Sequence, residues 1–377
     1  MKIAYCTDTL WHPGGIQSAT IAKADALAAM AGNEVWIVTT ECPQASTVLP
    51  VSDKVHVVAL RVDYYADDWK SKLLLLKSLI VNRKRHRRQL ANFLRETRPD
   101  VVISTGTSEK FFLPRLRRVC SAVFIREMHF TKYYRRLASQ GLAGQLAARL
   151  AEFWDYHICI RRYDRIVVLP EEDRERYWKK NRKVTVIPDP LTRPAPVPSG
   201  SPSKSVLTAG RFVHQKNHAS LIRAWKQVPA VHPDWSLTIY GEGGLRADLQ
   251  TQIVGAGLAG SIRLAGYSDD LLSRLSEGAI FVLTSLYEGF GMVITEAMSC
   301  GLPVVSYACP CGPKDIISDG EDGFLVPVGD ETHLSERICE LIENEGLRKR
   351  MGAAALEKSR QYSLDRIIPM WMALFKQ

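Results

Sequence analysis

The sequence predicts an α/β protein made of two doubly wound units, each a parallel sheet flanked by helices. Three observations carry this. Short apolar runs alternate with helix-length amphipathic stretches, the pattern of parallel strands joined by crossover helices. The alternation stops once, at a proline-rich stretch from Ile187 to Pro202, and then restarts. A length of 377 residues also suits two domains of about 150–200 residues.

Taken in order, the first unit opens with a strand-like run from Ile3 to Cys6. A polar loop containing Pro13-Gly14-Gly15 follows, then a helical pattern from Ile16 to Met30 and a second strand from Glu34 to Val38. Further strands read from Val55 to Leu60, Val101 to Ser104, Ala122 to Ile125 and Arg165 to Leu169, with basic helices between them. The proline-rich stretch can continue neither a helix nor a central strand, so it reads as a linker. Beyond it come strands at Ser205 to Ala209, Leu237 to Tyr240, Ile262 to Leu264 and Ala279 to Thr284, separated by helices, the first starting near His218. A helix after Phe290 leads to a strand over Pro303 to Ser306. Ligands of such sheets bind at the carboxyl ends of the strands, so both units are expected to face one cleft.

Composition narrows the class. Apolar residues at 46% and charged residues at 24% are those of a globular protein. The opening MKIAYCTDTLW lacks the apolar core of a signal peptide, and Leu73 to Ile80, interrupted by Lys77, is too short to span a bilayer. Neither export nor membrane spanning is expected. Cys309-x-Cys311 has no second close pair to complete a four-ligand site, so a reduced cytosolic loop is expected there.

Charge is uneven. Residues 1–183 hold 32 Lys and Arg against 19 Asp and Glu, while residues 184–377 hold 18 against 21. A basic first half implies an anionic partner. The run Asn82-Arg-Lys-Arg-His-Arg-Arg88, with Arg115, Arg117, Arg118, Lys132, Arg135 and Arg136, has two readings. It is a solvated helical face or, with Tyr133, Tyr134 and Leu73 to Leu76, a surface for anionic lipid. Nucleic acid would use the same electrostatics, but no recognisable binding module is present and no such partner is expected.

The strongest motif is Leu286-Tyr-Glu288-Gly-Phe-Gly-Met-Val-Ile-Thr-Glu296-Ala-Met-Ser-Cys-Gly301-Leu-Pro-Val-Val. The first glutamate sits in a loop and the second about two turns down a helix, so they can touch different parts of one extended ligand. Backbone N–H groups at Gly291, Met292 and Val293 form a helix N-terminus suited to phosphate oxygens. A second motif, Ala209-Gly-Arg211-Phe-Val-His-Gln-Lys216-Asn, lies between a strand and a helix. Arg211 and Lys216, five apart, can set a guanidinium fork and a point charge on one pyrophosphate. The alternative is two surface cations flanking a helix start.

The Glu-x7-Glu spacing, the following Ala-Met-Ser-Cys-Gly-Leu-Pro-Val-Val and then Cys311-Gly-Pro-Lys-Asp-Ile-Ile-x-Asp-Gly-x-x-Gly-Phe-Leu-Val resemble the retaining glycosyltransferases of family 4, which have the GT-B fold. The resemblance spans essentially the whole chain and is densest in the second half. It implies an acceptor-binding domain over 1–187, with the last helix (361–377) packing back on it, and a donor-binding domain over 188–360. It implies that Glu296 holds the donor ribose hydroxyls and Glu288 contacts the transferring sugar. Arg211, Lys216 and the Phe290, Gly291, Met292 and Val293 segment would bind the donor diphosphate, in place of a metal; no cofactor is implied. The usual Lys-Gly of the family is Lys216-Asn217 here.

Two weaker sites gain from the resemblance. Gly14-Gly15 lacks a dinucleotide-binding spacing and on its own is as readily a turn. The family places such a pair against donor phosphates and acceptor, which singles out Gly15. Arg126-Glu127-Met128-His129-Phe130 follows a strand-like run. A lone histidine is often structural, but relatives carry one near the transferring sugar, which makes His129 a candidate contact and Glu127 its companion.

The expected activity is retaining transfer of a hexose or N-acetylhexosamine from a UDP-sugar to a hydroxyl of a glycan or lipid-linked acceptor. The expected setting is assembly of bacterial surface polysaccharide or lipopolysaccharide, in the cytoplasm or peripherally on the cytoplasmic face of the inner membrane. A GDP-mannose-dependent transferase and a non-catalytic sugar-nucleotide-binding subunit are the alternatives.

Overall fold

A computed structural model describes residues 1–10, 14–41, 50–62, 64, 72–139, 141–196 and 203–377, with only the backbone for 72–77. The chain divides into two compact units. The first comprises Met1–Leu169, Arg176–Thr192 and Leu364–Gln377; the second comprises Pro170–Glu175 and Arg193–Ser363. The divisions thus fall after Thr192 and Ser363 rather than at 187 and 360, and a short run near 172 joins the second unit.

The first unit holds a seven-stranded parallel sheet. Its strands are β1 (Lys2–Thr7), β2 (Glu34–Thr39), β3 (Val55–Ala59), β4 (Val101–Ser104), β5 (Val123–Met128), β6 (Arg165–Val168) and β7 (Val184–Val186). Their order is β3-β2-β1-β4-β5-β6-β7. Both faces are covered, which is why these strands are nearly continuous apolar runs. Ile3, Tyr5, Val101 and Ile103 pack on one face with Leu27 of the helix Gly15–Ala29 and Trp371 of the helix Leu364–Phe375. Ala4, Cys6, Val102 and Phe124 pack on the other with Leu90 and Leu94 of the helix Lys72–Thr97. Trp371 is fully buried; a side chain of that size contributes at least about 2 kcal/mol of apolar burial.

The second unit holds six parallel strands: β8 (Ser205–Ala209), β9 (Ser236–Tyr240), β10 (Ile262–Gly266), β11 (Ile280–Leu283), β12 (Val304–Tyr307) and β13 (Gly323–Val326). Their order is β10-β9-β8-β11-β12-β13. Phe212, Trp225, Leu237, Ile239, Val282 and Val305 anchor its core. In each unit the order of crossovers reverses once, between β1 and β4 in the first and between β8 and β11 in the second. Adjacent loops diverge at such a switch point and leave room for a ligand outside the carboxyl ends of the strands.

Three readings of the sequence change. Strands β7 and β13 were not anticipated; each is only three or four residues long. Strand β5 runs to Met128, so Arg126 and Glu127 belong to the strand and are buried, not placed in a loop after Ile125. Neighbouring polar partners compensate them, as described below. In the basic run, Arg83, Lys84, Arg85, Arg87 and Arg88 are exposed, but His86 is buried and hydrogen-bonded to the Tyr64 hydroxyl at 3.1 Å. Burial pushes its pKa down to about 4. The side chains of Leu73 to Leu76 lie outside the described residues, as do Pro13 and residues 197–202 of the linker. Among the described residues no helix is long and apolar enough to cross a membrane. The seven described cysteines, Cys309 and Cys311 included, are free thiols.

Candidate functional site

In the second unit the two loops at the switch point are laced together. Leu286 N donates to Gln215 O at 2.8 Å, and Gln215 Nε2 donates to Tyr287 O at 2.9 Å. Thr284 Oγ1 donates to the carbonyls of Lys216 and Asn217, each at 3.2 Å. These bonds bring Lys216 Nζ to 2.6 Å from Glu288 Oε1, with both side chains largely out of water. Asn217 adopts a left-handed φ of 50° and opens the helix His218–Trp225. His218 beneath it is buried against Phe212, and burial lowers its pKa to about 4, so it is a neutral packing residue.

The Glu288 loop is shaped by glycine. Gly291 (φ 98°) starts the helix Met292–Ser299, which has no side-chain cap, so its first N–H groups remain available to a ligand. Gly312 (φ 115°) lies so close to Phe290 that a Cβ would stand 1.9 Å from its carbonyl oxygen. Phe290 is buried and meets Tyr362 edge-on at 5.5 Å. Met292 and Val293 are half-buried. Burial raises the pKa of Glu296 to about 7, partly opposed by the positive charge of Arg193.

Lys216 and Glu288 are therefore directly joined. Arg211 is exposed and makes no ion pair among the described residues, and neither does Glu296. The two cations share one loop, and the two acids share a loop and the helix that follows it.

Some residues of this site escaped the sequence reading. Gly241 (φ 142°) and Gly243 (φ 153°) let the loop after β9 lie against the Arg211 loop; Cβ atoms there would be 2.0 Å from Gly210 O and 2.6 Å from Phe212 O. The signal was Gly-Glu-Gly-Gly directly after a strand. Arg193 was hidden in the proline-rich stretch. Glu172 accepts from Cys311 N at 2.8 Å and pairs with Lys314.

In the first unit His129 directly follows β5 and lies inside a buried charge cluster. Its Nε2 is 3.5 Å from Glu127 Oε1 and its Nδ1 3.5 Å from Asp189 Oδ2. Lys23, also buried, pairs with Glu127, lies 3.6 Å from Asp189, and places its ammonium 5.0 Å from the Trp371 ring centroid. Burial alone would raise the pKa of Asp189, but His129 and Lys23 hold it below the usual carboxylate range. Ligand atoms of Glu127, His129 and Asp189 lie within 4.8 Å of one another, a spacing that suits a metal ion. Lys23 already supplies positive charge at that point. Arg126 Nη1 donates to Ser104 O, Ser104 Oγ and Gly106 O.

His129 also lines a pocket of about 90 Å³ at the switch point, with Asp8, Thr105, Lys110, Arg126 and Arg135. Gly15, exposed at the start of its helix, immediately precedes Ile16 and Gln17 of the pocket wall.

The chain is 28% identical over 346 residues to an exopolysaccharide phosphotransferase of Streptomyces coelicolor, covering 90% of the chain and 34% of that relative. It is 32% identical over 166 residues to the amylovoran biosynthesis glycosyltransferase AmsD of Erwinia amylovora, covering 44% of the chain and 46% of AmsD. The chain thus spans between a third and a half of the length of these relatives. Its fold matches S. aureus TarM, solved in complex with fondaparinux, alpha-GlcNAc-glycerol and UDP, with a TM-score of 0.80, 16% identity and full coverage of both chains. The two-unit parallel α/β architecture is thereby that of the GT-B glycosyltransferases. Residues 194–358, which carry both laced loops and the Glu288–Glu296 segment, match the family model described as glycosyl transferases group 1.

Proposed function

We propose that the chain transfers a hexose or N-acetylhexosamine from a UDP-sugar to a hydroxyl of a glycan or lipid-linked acceptor, in surface polysaccharide or lipopolysaccharide biosynthesis. The observation that carries this reading is the Lys216–Glu288 ion pair beside the uncapped helix start at Gly291. It sets a phosphate-neutralising cation, a sugar-facing carboxylate and backbone donors around one switch point. The names of AmsD and the UDP bound to TarM support a nucleotide-sugar donor and a surface glycan product. The phosphotransferase name belongs to a relative two-thirds of which lies outside the match.

In this reading the second unit binds the donor, and the first-unit pocket with His129 and Gly15 binds the acceptor and the transferring sugar. Glu296 takes the ribose hydroxyls. The bond from the anomeric carbon to the β-phosphate oxygen breaks as the acceptor oxygen bonds to that carbon on the same face. The acceptor proton passes to the departing phosphate oxygen, and UDP leaves. Arg211, Lys216 and the N–H groups at Gly291, Met292 and Val293 stabilise the charge that grows on the diphosphate, so the step proceeds without a divalent metal. An anionic membrane at the cytoplasmic face is the surface on which the basic first unit works.

The test is a thermal-shift panel of UDP- and GDP-sugars, followed by release of nucleoside diphosphate with candidate acceptors in the presence of EDTA. Stabilisation by UDP-sugars and acceptor-dependent release lost in Glu288→Ala support the proposal. Stabilisation by GDP-mannose alone, binding without release, or loss of release in EDTA each overturns the corresponding part.

A further inference from the structure

In the first unit the helix Gly141–Phe153 is built inside out. At about 100° per residue, Leu142, Leu146, Leu150 and Phe153 fall within one sector of about 80°. All four are exposed, as is Trp154 just beyond; Leu142 is 92% exposed and Leu150 65%. The opposite side turns Ala148 and Glu152 inward. Glu152 is paired there with Arg136, and Asp155 in the next turn is paired with Lys110 at 2.7 Å and Arg135 at 2.5 Å. A helix packed on a soluble core puts leucines inward and acids in water. Here the acids are buried at a desolvation cost and the leucines face out, which leaves a stripe about 20 Å long without an apolar partner among the described residues.

The charges around the stripe have one sign. Between His129 and Tyr163 the only acids are Glu152 and Asp155, both buried and paired. The exposed ionic side chains of that span are Arg149, about 20° beyond the edge of the leucine sector, and Arg161 and Arg162. Leucine, phenylalanine and tryptophan on one face, accompanied by arginine alone, match a helix lying in the headgroup layer. A second copy of the chain fits less well. Two-fold contact would turn the stripe on itself and bring Arg149 toward its own copy with no exposed acid in the span to answer it.

We propose that the outer face of the Gly141–Phe153 helix, continued by Trp154, docks on the surface of an anionic lipid bilayer. This deepens the membrane part of the function proposed above and stands independently of glycosyl transfer. Residues flanking this helix, Tyr134 and Arg135 before it and Asp155, Tyr156 and Ile160 after it, wall the first-unit pocket, while the helix itself does not. Docking therefore sets that pocket beside the headgroups, where a lipid-linked acceptor presents its sugar.

The experiment is flotation of the full chain with phosphatidylcholine vesicles, with and without about 30% phosphatidylglycerol. The expected result is binding to the anionic vesicles only, weakened at least about tenfold in Leu142→Gln/Leu146→Gln/Leu150→Gln and unchanged in the second-unit control Val231→Gln/Val254→Gln. The three leucines are exposed, so the triple variant should melt like the parent. If it does not, a lipid-dependent blue shift of emission, absent in Trp154→Phe, is the deciding readout. Nucleoside diphosphate release with a water-soluble acceptor should persist in the triple variant, which separates this proposal from the catalytic one. Absence of vesicle binding, equal binding to neutral vesicles, or binding unaffected by the triple substitution overturns the proposal. So does a dimer that dissociates in the triple variant, which would assign the stripe to a second copy.

Discussion

Lys216 Nζ lies 2.6 Å from Glu288 Oε1, joining two loops whose residues stand 72 apart in the chain. Without a donor, each charge is the other's partner. Under the proposed function, a bound diphosphate would draw the ammonium to itself and free the carboxylate for the sugar.

Removing the cation tests that coupling. Lys216→Met should lower turnover about 100-fold or more, because one stabilising charge for the leaving diphosphate is lost. It also strands Glu288 in a mostly buried position, at a cost of about 1–3 kcal/mol. The double variant Lys216→Met/Glu288→Gln should recover most of that stability and none of the rate. Urea unfolding alongside steady-state kinetics separates the two effects.

Glu296 gives a pH-dependent signature. Its folded pKa, raised by burial to about 7, exceeds the unfolded value. The folded state therefore holds the extra proton, and this group's contribution to stability is present at pH 4 and lost as pH rises through about 7. Glu296→Gln should match the parent at pH 4 and exceed it at pH 8 by up to about 3 kcal/mol. The same variant should bind the donor more weakly, as calorimetry would report.

Backbone crowding at Gly312 has a built-in control. Gly312→Ala forces a Cβ to 1.9 Å from Phe290 O at a φ of 115°. It should cost more than about 3 kcal/mol and displace the Glu288 loop. Gly329→Ala, at φ 86° with nothing within 4 Å, should cost only about 1 kcal/mol and leave donor affinity intact. Equal losses for the two would remove the crowding argument.

Lys23 is expected to hold the first-unit cluster together. Lys23→Met leaves Glu127 and Asp189 buried without their cation, for a loss of about 3–5 kcal/mol near pH 8. With less positive charge beside it, burial then raises the pKa of Asp189, so the deficit should shrink as pH falls toward 4. In the parent the sign is opposite for Asp189. Its pKa is held low, so its contribution is present above the usual carboxylate range and fades only below it. Thermal melts of both proteins from pH 4 to 8 give the comparison.

Apolar runs such as Val101–Ser104 and Ile280–Leu283 announced their strands because a sheet covered on both faces needs no polar alternation. The Glu288 and Lys216 loops were legible for a related reason, since each lies where a strand-like run gives way to a helical one. Lys23 was not. Its place in the pattern of Ile16 to Met30 fits a solvated face, and its partners Glu127 and Asp189 are 104 and 166 residues away. A buried ion pair leaves no periodic trace. The inverted polarity of Gly141–Phe153 was missed in the same way, because amphipathicity tells that a helix has two faces and not which one meets the protein.

The helix Leu364–Phe375 seals a sheet that begins at Lys2, although the whole second unit is synthesised between them. At about 5–20 residues per second, the ribosome spends on the order of 10–30 s on that interval. Through it the nascent first sheet carries an uncapped greasy face, the one Trp371 will cover, and chaperone capture or premature clumping would act there. Within these residues, the first sheet is covered on that face only after the second unit has been made.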